Sequence, residues 1–313
     1  MIARAVEILR RGGLVAFPTE TVYGLGADAT NPEAIGRIFA AKGRPPTNPL
    51  ICHVADESMA RQYARHWPAA ASNIAEAFWP GPITLVVPKA ASIPAEATAG
   101  RETVGLRAPN HPLALELVRA FGKPIAGPSA NKSNHISPTT AQHVRDELGG
   151  SVDLVLDGGA CSVGIESTVL DVSGERPVIL RPGGISREQI ESVIGRVDVF
   201  AGSVSGDMAA SSPGQHARHY APRTRAVRVG PGEVGVIAAE GRGFVLLGQR
   251  SDPGKSGAIA VMPGDPVGYA RDFYSVLRRL DGLCLREIVI EMPPEEPSWE
   301  AVRDRITRAT TAR

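Results

Sequence analysis

Cysteine is scarce in this chain: three among 313 residues, at Cys52, Cys161 and Cys284. They are far apart, odd in number and without metal-ligand spacing. That argues against a disulfide framework or a structural zinc site, and for reduced thiols in a cytosolic protein. Cys52 lies in an apolar run before His53 and reads as core filler rather than a nucleophile. Charge of one sign is also lacking. The formal net charge is +1, so no global basic field points to a nucleic-acid binder. No stretch approaches the ~18 apolar residues of a membrane-spanning helix, and the N-terminus lacks the apolar core of a secretory signal. Two nucleotide signatures are missing. Gly254-Lys255-Ser256 resembles the end of a P-loop, but Gln249 stands where its first glycine belongs and Asp252-Pro253 breaks the pattern. That segment reads as a surface turn. No G-x-G-x-x-G follows a strand-like run either.

What is present fits an ordinary globular chain, 43% hydrophobic and 21% charged, long enough for two domains with a core each. Helical spacing over residues 2–11 puts Ile2, Ala5, Val6, Ile8 and Leu9 on one face, and Gly12-Gly13 stops it. A short buried strand is expected at 14–17. Thr30-Asn31-Pro32-Glu33 reads as a helix start, with a capping side chain, a first-turn proline and an acid at the positive end of the dipole. That helix should run to about residue 41. Strands are expected at 50–54, 83–87, 104–107, 124–127, 154–156, 168–172 and 178–180, with helices near 112–121, 138–148 and 187–194. This mixture predicts an α/β domain built on one twisted sheet over residues 1–200. From residue 201 the composition turns to Gly, Ser and Ala, which marks 201–224 as a linker. Strands at 227–229, 234–238, 244–247, 259–262 and 287–291, with helices at 266–281 and 298–309, predict a small Rossmann-like α/β domain over 225–313.

Ligand-binding chemistry gathers in three stretches. Thr19-Glu20-Thr21 follow Pro18 directly after a strand, where open α/β sheets bind ligands. A hydroxyl-rich turn is the plain alternative. Lys42-Gly43-Arg44-Pro45-Pro46-Thr47-Asn48-Pro49 offers phosphate a point charge and a planar fork. Its plain alternative is a solvated, basic helix end. Gly127-Pro128-Ser129-Ala130-Asn131-Lys132-Ser133 follows another strand, and its Ser129 and Asn131 can accept and donate. The loop continues past Ser137 to an expected helix start at Pro138, where free N–H groups favour anions. A capping turn is the plain alternative there.

In this order, and with Ser137-Pro138-Thr139 following, these stretches resemble the YrdC-like family of threonylcarbamoyl-AMP synthases. The resemblance spans residues 1 to about 200. It continues through Ser212-Pro213-Gly214-Gln215-His216-Ala217-Arg218-His219-Tyr220-Ala221-Pro222, which is similar to the linker of the family's long, two-domain form. The resemblance implies a twisted mixed sheet with a concave ligand face. It implies that L-threonine, bicarbonate (or CO2) and ATP yield threonylcarbamoyl-AMP and pyrophosphate. The product would serve a transferase that modifies a tRNA adenosine beside the anticodon. Lys42 and Arg44 are implied as catalytic phosphate clamps. Arg44, Asn48, Thr103, Ser129, Asn131, Ser137 and Arg181 are implied ATP contacts. The implied threonine pocket is Thr21, His53, Arg107, Gly127 and Ser167, with Arg107 on the carboxylate and Thr21 and His53 on the amine or hydroxyl. Gly127 lets ligand approach the backbone. Mg2+ would accompany ATP, without a dedicated protein metal site. The linker is too dense in functional groups for a passive spacer, so His219 and Tyr220 are expected to close over ATP as a lid. Glu20 is given no role as a base. Two other readings stay open: a carbamoyltransferase on the same fold, and an RNA-binding module. Homodimerisation and direct tRNA contact stay open too.

Overall fold

Short alternating strands sort the first two hundred residues into a core face and a face that borders a recess. The computed structural model describes residues 1–200, 202, 219–231, 233, 241–248 and 258–312. The strand expected at 234–238, the turn at 254–256, and His216 and Arg218 of the linker lie outside the described residues. In chain order the first part comprises α1 (Ile2–Arg10), β1 (Val15–Phe17), β2 (Gly24–Asp28), α2 (Pro32–Lys42), β3 (Ile51–His53), α3 (Glu57–Gln62) and α4 (Ala69–Phe78). Then follow β4 (Ile83–Pro88), α5 (Ala95–Thr98), β5 (Thr103–Arg107), α6 (Pro112–Phe121), β6 (Ile125–Ala126) and α7 (Ala141–Leu148). It closes with β7 (Leu154–Val155), β8 (Thr168–Asp171), β9 (Val178–Arg181), α8 (Arg187–Ile194) and β10 (Asp198–Val199). The second part holds β11 (Ala226–Val229), β12 (Arg242–Leu247), β13 (Ala258–Met262), α9 (Pro266–Asp281), β14 (Glu287–Glu291), α10 (Glu300–Ala309) and β15 (Thr311–Ala312).

Among the described residues, ten strands form one mixed sheet in the order β10-β9-β8-β4-β5-β3-β6-β2-β1-β7. Parallel pairs such as β3 with β5 alternate with antiparallel ones such as β4 with β5. A second sheet, ordered β13-β12-β14-β11-β15, is parallel at every pairing. The mixed α/β architecture with a separate small parallel sheet is the one the sequence predicts. Period-two alternation divides the first sheet's core. Ala16 of β1 joins the cluster containing Leu25, Cys52, Leu85 and Leu106, while Val15 and Phe17 pack with Leu9, Leu117 and Ile125 under α1 and α6. A third apolar cluster joins the two parts: Val22, Ile136 and Ile165 pack with Phe273, Tyr274 and Leu277 of α9. No helix among the described residues is long and apolar enough to cross a membrane.

Three departures from expectation matter for the site. Strand β2 was not foreseen, because Gly24, Gly26 and Ala27 lack the β-branched signal. Packing forms it: a Cβ on Gly26 would stand 2.9 Å from Phe17, Ile125 and the Val15 carbonyl, so only glycine lets these strands pair. Helix α7 begins at Ala141, not at Pro138, and Thr140 already caps it by accepting from the His143 N–H. The segment at Pro138 is therefore not a helix N-terminus. Helices α3 and α4 and the short strands β10 and β15 were also unforeseen, being short or weakly periodic.

Candidate functional site

The alternation of β3 and β5 builds the floor. Cys52 faces the core, while Ile51 and His53 face a recess. Val104 and Leu106 face the core, which sends Thr103, Gly105 and Arg107 to the opposite face. On β9 strict alternation would turn Arg181 to the side of core residue Ile179. An extra residue prevents this: Val169 pairs with Arg181 but Leu170 with Ile179, so Leu180 bulges and Arg181 is aimed into the recess. The recess encloses about 520 Å³ including its open mouth.

One wall is cationic. Helix α2 is capped by Asn31 and ends at Lys42, where Gly43 adopts the left-handed conformation (φ 59°) and turns the chain. Lys42 is 2% exposed and Arg44 7%, which rules out the solvated helix end. Lys42 Nζ donates to the Ser129 and Asn131 carbonyls, both at 2.5 Å. Burial, reinforced by Arg44, lowers its pKa well below the ordinary lysine value. Arg44 donates to the carbonyls of Asn48 (3.3 Å) and Pro49 (3.0 Å), and burial lowers it to about 10. Arg44, Ser129 and Arg181 line the recess.

The other wall surrounds Arg107. Its guanidinium ion-pairs with buried Glu20 at 2.8 Å, donates to Thr21 Oγ1 at 2.9 Å and reaches the Gly81 carbonyl at 3.3 Å. Thr21 in turn shares a hydrogen bond with Thr19. His53 packs edge-on against Phe17, with ring centroids 5.2 Å apart. Burial, then the charge of Arg107, pushes it down to about 3, so it is neutral at ordinary pH. A Cβ at Gly127 would stand 2.8 Å from His53 Nδ1, so glycine keeps this corner open. Ser167 Oγ bonds Thr84 at 2.8 Å, and its carbonyl accepts from Arg181 at 2.9 Å. His219 and Tyr220 complete the lining, their rings 4.1 Å apart.

The structure thus brings Thr21, Arg44, His53, Arg107, Gly127, Ser129, Ser167, Arg181, His219 and Tyr220 around one recess, with Lys42 against its edge. Four further expected ATP contacts are not among the residues that line it. Asn131 spends its amide donors on the carbonyls of Lys132 and His135, at 2.8 and 2.9 Å, which shapes the loop. Ser137 donates to Glu166 at 2.5 Å. Asn48 offers its carbonyl to Arg44. Thr103 borders an adjoining cleft with Pro49, Thr98 and Arg101, separated from the recess by Ile51. Sequence reasoning missed Glu166, Tyr274 and Arg305. Glu166 adjoins Ser167, which was its one available signal. Arg305 had none, since it lies 139 residues away on an ordinary amphipathic helix.

Both buried carboxylates beside the recess, Glu20 and Glu166, are held by arginines. Among the described residues no group of three His, Cys, Asp or Glu side chains is placed to hold a metal ion.

Comparison with known proteins agrees with this geometry. A family model described as Telomere recombination, that of the Sua5, YciO and YrdC proteins, matches residues 7–183. A second, Threonylcarbamoyl-AMP synthase, C-terminal domain, matches residues 185–311. The chain is 40% identical over 321 residues to a Pyrococcus abyssi protein named Threonylcarbamoyl-AMP synthase, covering 98% of this chain and 93% of that one. A Bacillus subtilis protein of the same name is 50% identical over 222 residues, covering 71% of this chain and 64% of that one. The crystal structure of P. abyssi Sua5 complexed with L-threonine superposes with a TM-score of 0.92 at 38% identity, covering 100% of this chain and 96% of that one. The chain belongs to the Sua5/YciO/YrdC family and carries the threonylcarbamoyl-AMP synthase C-terminal domain.

Proposed function

We propose that this protein makes L-threonylcarbamoyl-AMP and pyrophosphate from L-threonine, bicarbonate and ATP. One observation carries the reading: a single buried recess is walled by Arg44, Arg181 and the Lys42-anchored loop on one side and by Arg107, Thr21 and His53 on the other. The first set suits a polyphosphate and the second an amino acid. The name of the full-length P. abyssi relative and the L-threonine complex of P. abyssi Sua5 support it.

Arg107, locked by Glu20 and Thr21, takes the threonine carboxylate as a planar fork. Neutral His53 offers a bond to the amine or hydroxyl without a repelling charge. The amine condenses with bicarbonate to a carbamate and water. A carbamate oxygen then attacks the α-phosphorus, the bond to the β-phosphate oxygen breaks, and pyrophosphate leaves with that electron pair. Lys42, Arg44 and Arg181 neutralise the charge that develops, without needing a proton-transfer base. His219 and Tyr220 cover the recess and keep the labile carbamate from water. Mg2+ would accompany ATP and add to the neutralisation supplied by Lys42, Arg44 and Arg181. The adenylate then passes to a transferase that modifies tRNA. Three free thiols fit the reducing cytoplasm.

The test is pyrophosphate release from MgATP, with and without L-threonine and bicarbonate. Release that requires both, with an adenylate of the expected mass, supports the reading. Release that needs neither, or activity with carbamoyl phosphate alone, rejects it.

A further inference from the structure

Arg305 is a cation on the C-terminal part of the chain, yet it is fully buried against the recess. Its Nε donates to Glu166 Oε2 at 2.7 Å and its Nη2 to the Pro182 carbonyl at 3.0 Å, while Asp304 takes Nη1 at 2.5 Å. Tyr274 of α9 donates to the same Glu166 oxygen at 2.9 Å. The other Glu166 oxygen accepts from Ser137 at 2.5 Å, and Glu166 lines the recess. The guanidinium of Arg305 also lies 5.2 Å from the ring centre of Tyr220, in cation–π contact. Tyr220 holds a left-handed backbone (φ 60°), which a bulky side chain rarely adopts unless its surroundings impose it. Those surroundings are on the page. The His219 N–H donates to the Arg308 carbonyl on α10, and the Ala221 N–H donates to the Asn134 carbonyl beside the Lys42-anchored loop.

We infer that Arg305 is a positioning residue for the ATP side of the recess: it holds Glu166 and Tyr220 in one arrangement, so the C-terminal part completes the site. This rests on the activity proposed above. Of the implied threonine pocket, Ser167 adjoins Glu166 in the chain, and its hydroxyl bonds Thr84. Arg305 reaches Ser137 through Glu166 and touches Tyr220. Arg107, Thr21 and His53 are held instead by Glu20, Thr19 and Phe17, none of which it contacts.

The groups facing Glu166 are Arg305 from α10, Tyr274 from α9, Arg181 from β9, Ser137, and Tyr220, with Asp304 pairing Arg305 on its other side. Burial alone would raise its carboxyl, but Arg305 and then Arg181 outweigh it and hold Glu166 below the usual carboxylate range. Without Arg305 that pKa rises, and function is lost as pH falls through the raised value.

The experiment compares full-length Arg305→Gln, Tyr274→Phe and Arg303→Gln, the last a control on α10 that bonds Pro293 and Glu295. In pyrophosphate release, Arg305→Gln is expected to raise the KM for ATP about tenfold or more while that for threonine moves less than about twofold. Its acid limb should move to higher pH. Tyr274→Phe, which removes one hydroxyl, should raise the ATP KM about threefold, and Arg303→Gln should match the wild type. A folded Arg305→Gln with wild-type ATP KM and pH profile overturns the inference, as does an equal rise in both KM values. If Arg305→Gln does not fold, an unchanged ATP KM in Tyr274→Phe overturns it. If the wild type releases no threonine-dependent pyrophosphate, the proposed activity falls first. Hydrogen exchange at the Ala221 amide then decides: faster in Arg305→Gln than in Arg303→Gln supports the clamp, and equal rates overturn it.

Discussion

At the residue scale, the site's side chains do their work through burial. His53 sits at about 3 in the fold against an ordinary value of 6.5, with burial the main cause. The unfolded chain therefore binds a proton between these values that the folded chain refuses. Stability from this residue is full above pH 6.5 and falls toward pH 3, at up to about 1.4 kcal/mol per pH unit. Urea unfolding of wild type and His53→Asn across that window should show a shallower slope in the variant. Lys42 gives a binding linkage of the same kind. Phosphates favour its charged form, so ATP affinity should fall as pH rises, beginning below the 10.5 of an ordinary lysine. Calorimetry with a non-hydrolysable ATP analogue measures this, and Lys42→Met should bind about ten- to a hundredfold more weakly with the pH dependence gone. Gly127→Ala tests the corner by His53. The added methyl meets Nδ1 at 2.8 Å and Phe17 Cζ at 3.0 Å, so the threonine KM should rise about tenfold while the ATP KM holds.

At the element scale, what local chemistry writes, the sequence shows. Helix α2 begins at Pro32 because Asn31 accepts from the Glu33 and Ala34 N–H groups, and it stops where Gly43 turns left-handed. Asn31→Ala should cost about 1 kcal/mol in thermal unfolding yet leave the ATP KM unchanged, since Gly43 and two carbonyls fix Lys42 independently. Helix α9 covers Pro266–Asp281, the range its proline start and apolar period predict. The misses have the opposite cause. Strand β2 carries glycine at positions 24 and 26, where a Cβ would crowd Phe17, so its pairing leaves no β-branched signal to read. The start of α7 was misplaced because Pro138 resembles a first-turn proline, while the cap is Thr140. The bulge at Leu180 leaves no local mark, although it decides that Arg181 faces the recess.

At the scale of the whole molecule, the two sheets share an apolar junction. Val22, Ile136 and Ile165 share an apolar cluster with Phe273, Tyr274 and Leu277, and Arg278 binds Glu147 across the same junction at 3.2 Å. Unfolding should therefore be a single transition in which Trp67 and Trp79 of the first part and Trp299 of the second change together. Ile165→Ala should cost about 2–5 kcal/mol and lower that one transition. Two separate endotherms in the wild type would refute the coupling. The sequence by itself determined the two-part α/β plan, the capped helix ends and the ordered motifs that resemble the family, because caps, periodicity and short motifs are local. The resemblance those motifs carry also pointed to most of the residues that line the recess, His53, Ser167 and Arg181 among them. Only the tertiary structure decided that Lys42 and Arg44 are buried, that Asn131 bonds its own loop and Ser137 bonds Glu166, and that Arg305 packs behind Glu166 and Tyr220. These depend on contacts spanning up to 139 residues, where burial and partner choice are set by packing and leave no trace in local spacing.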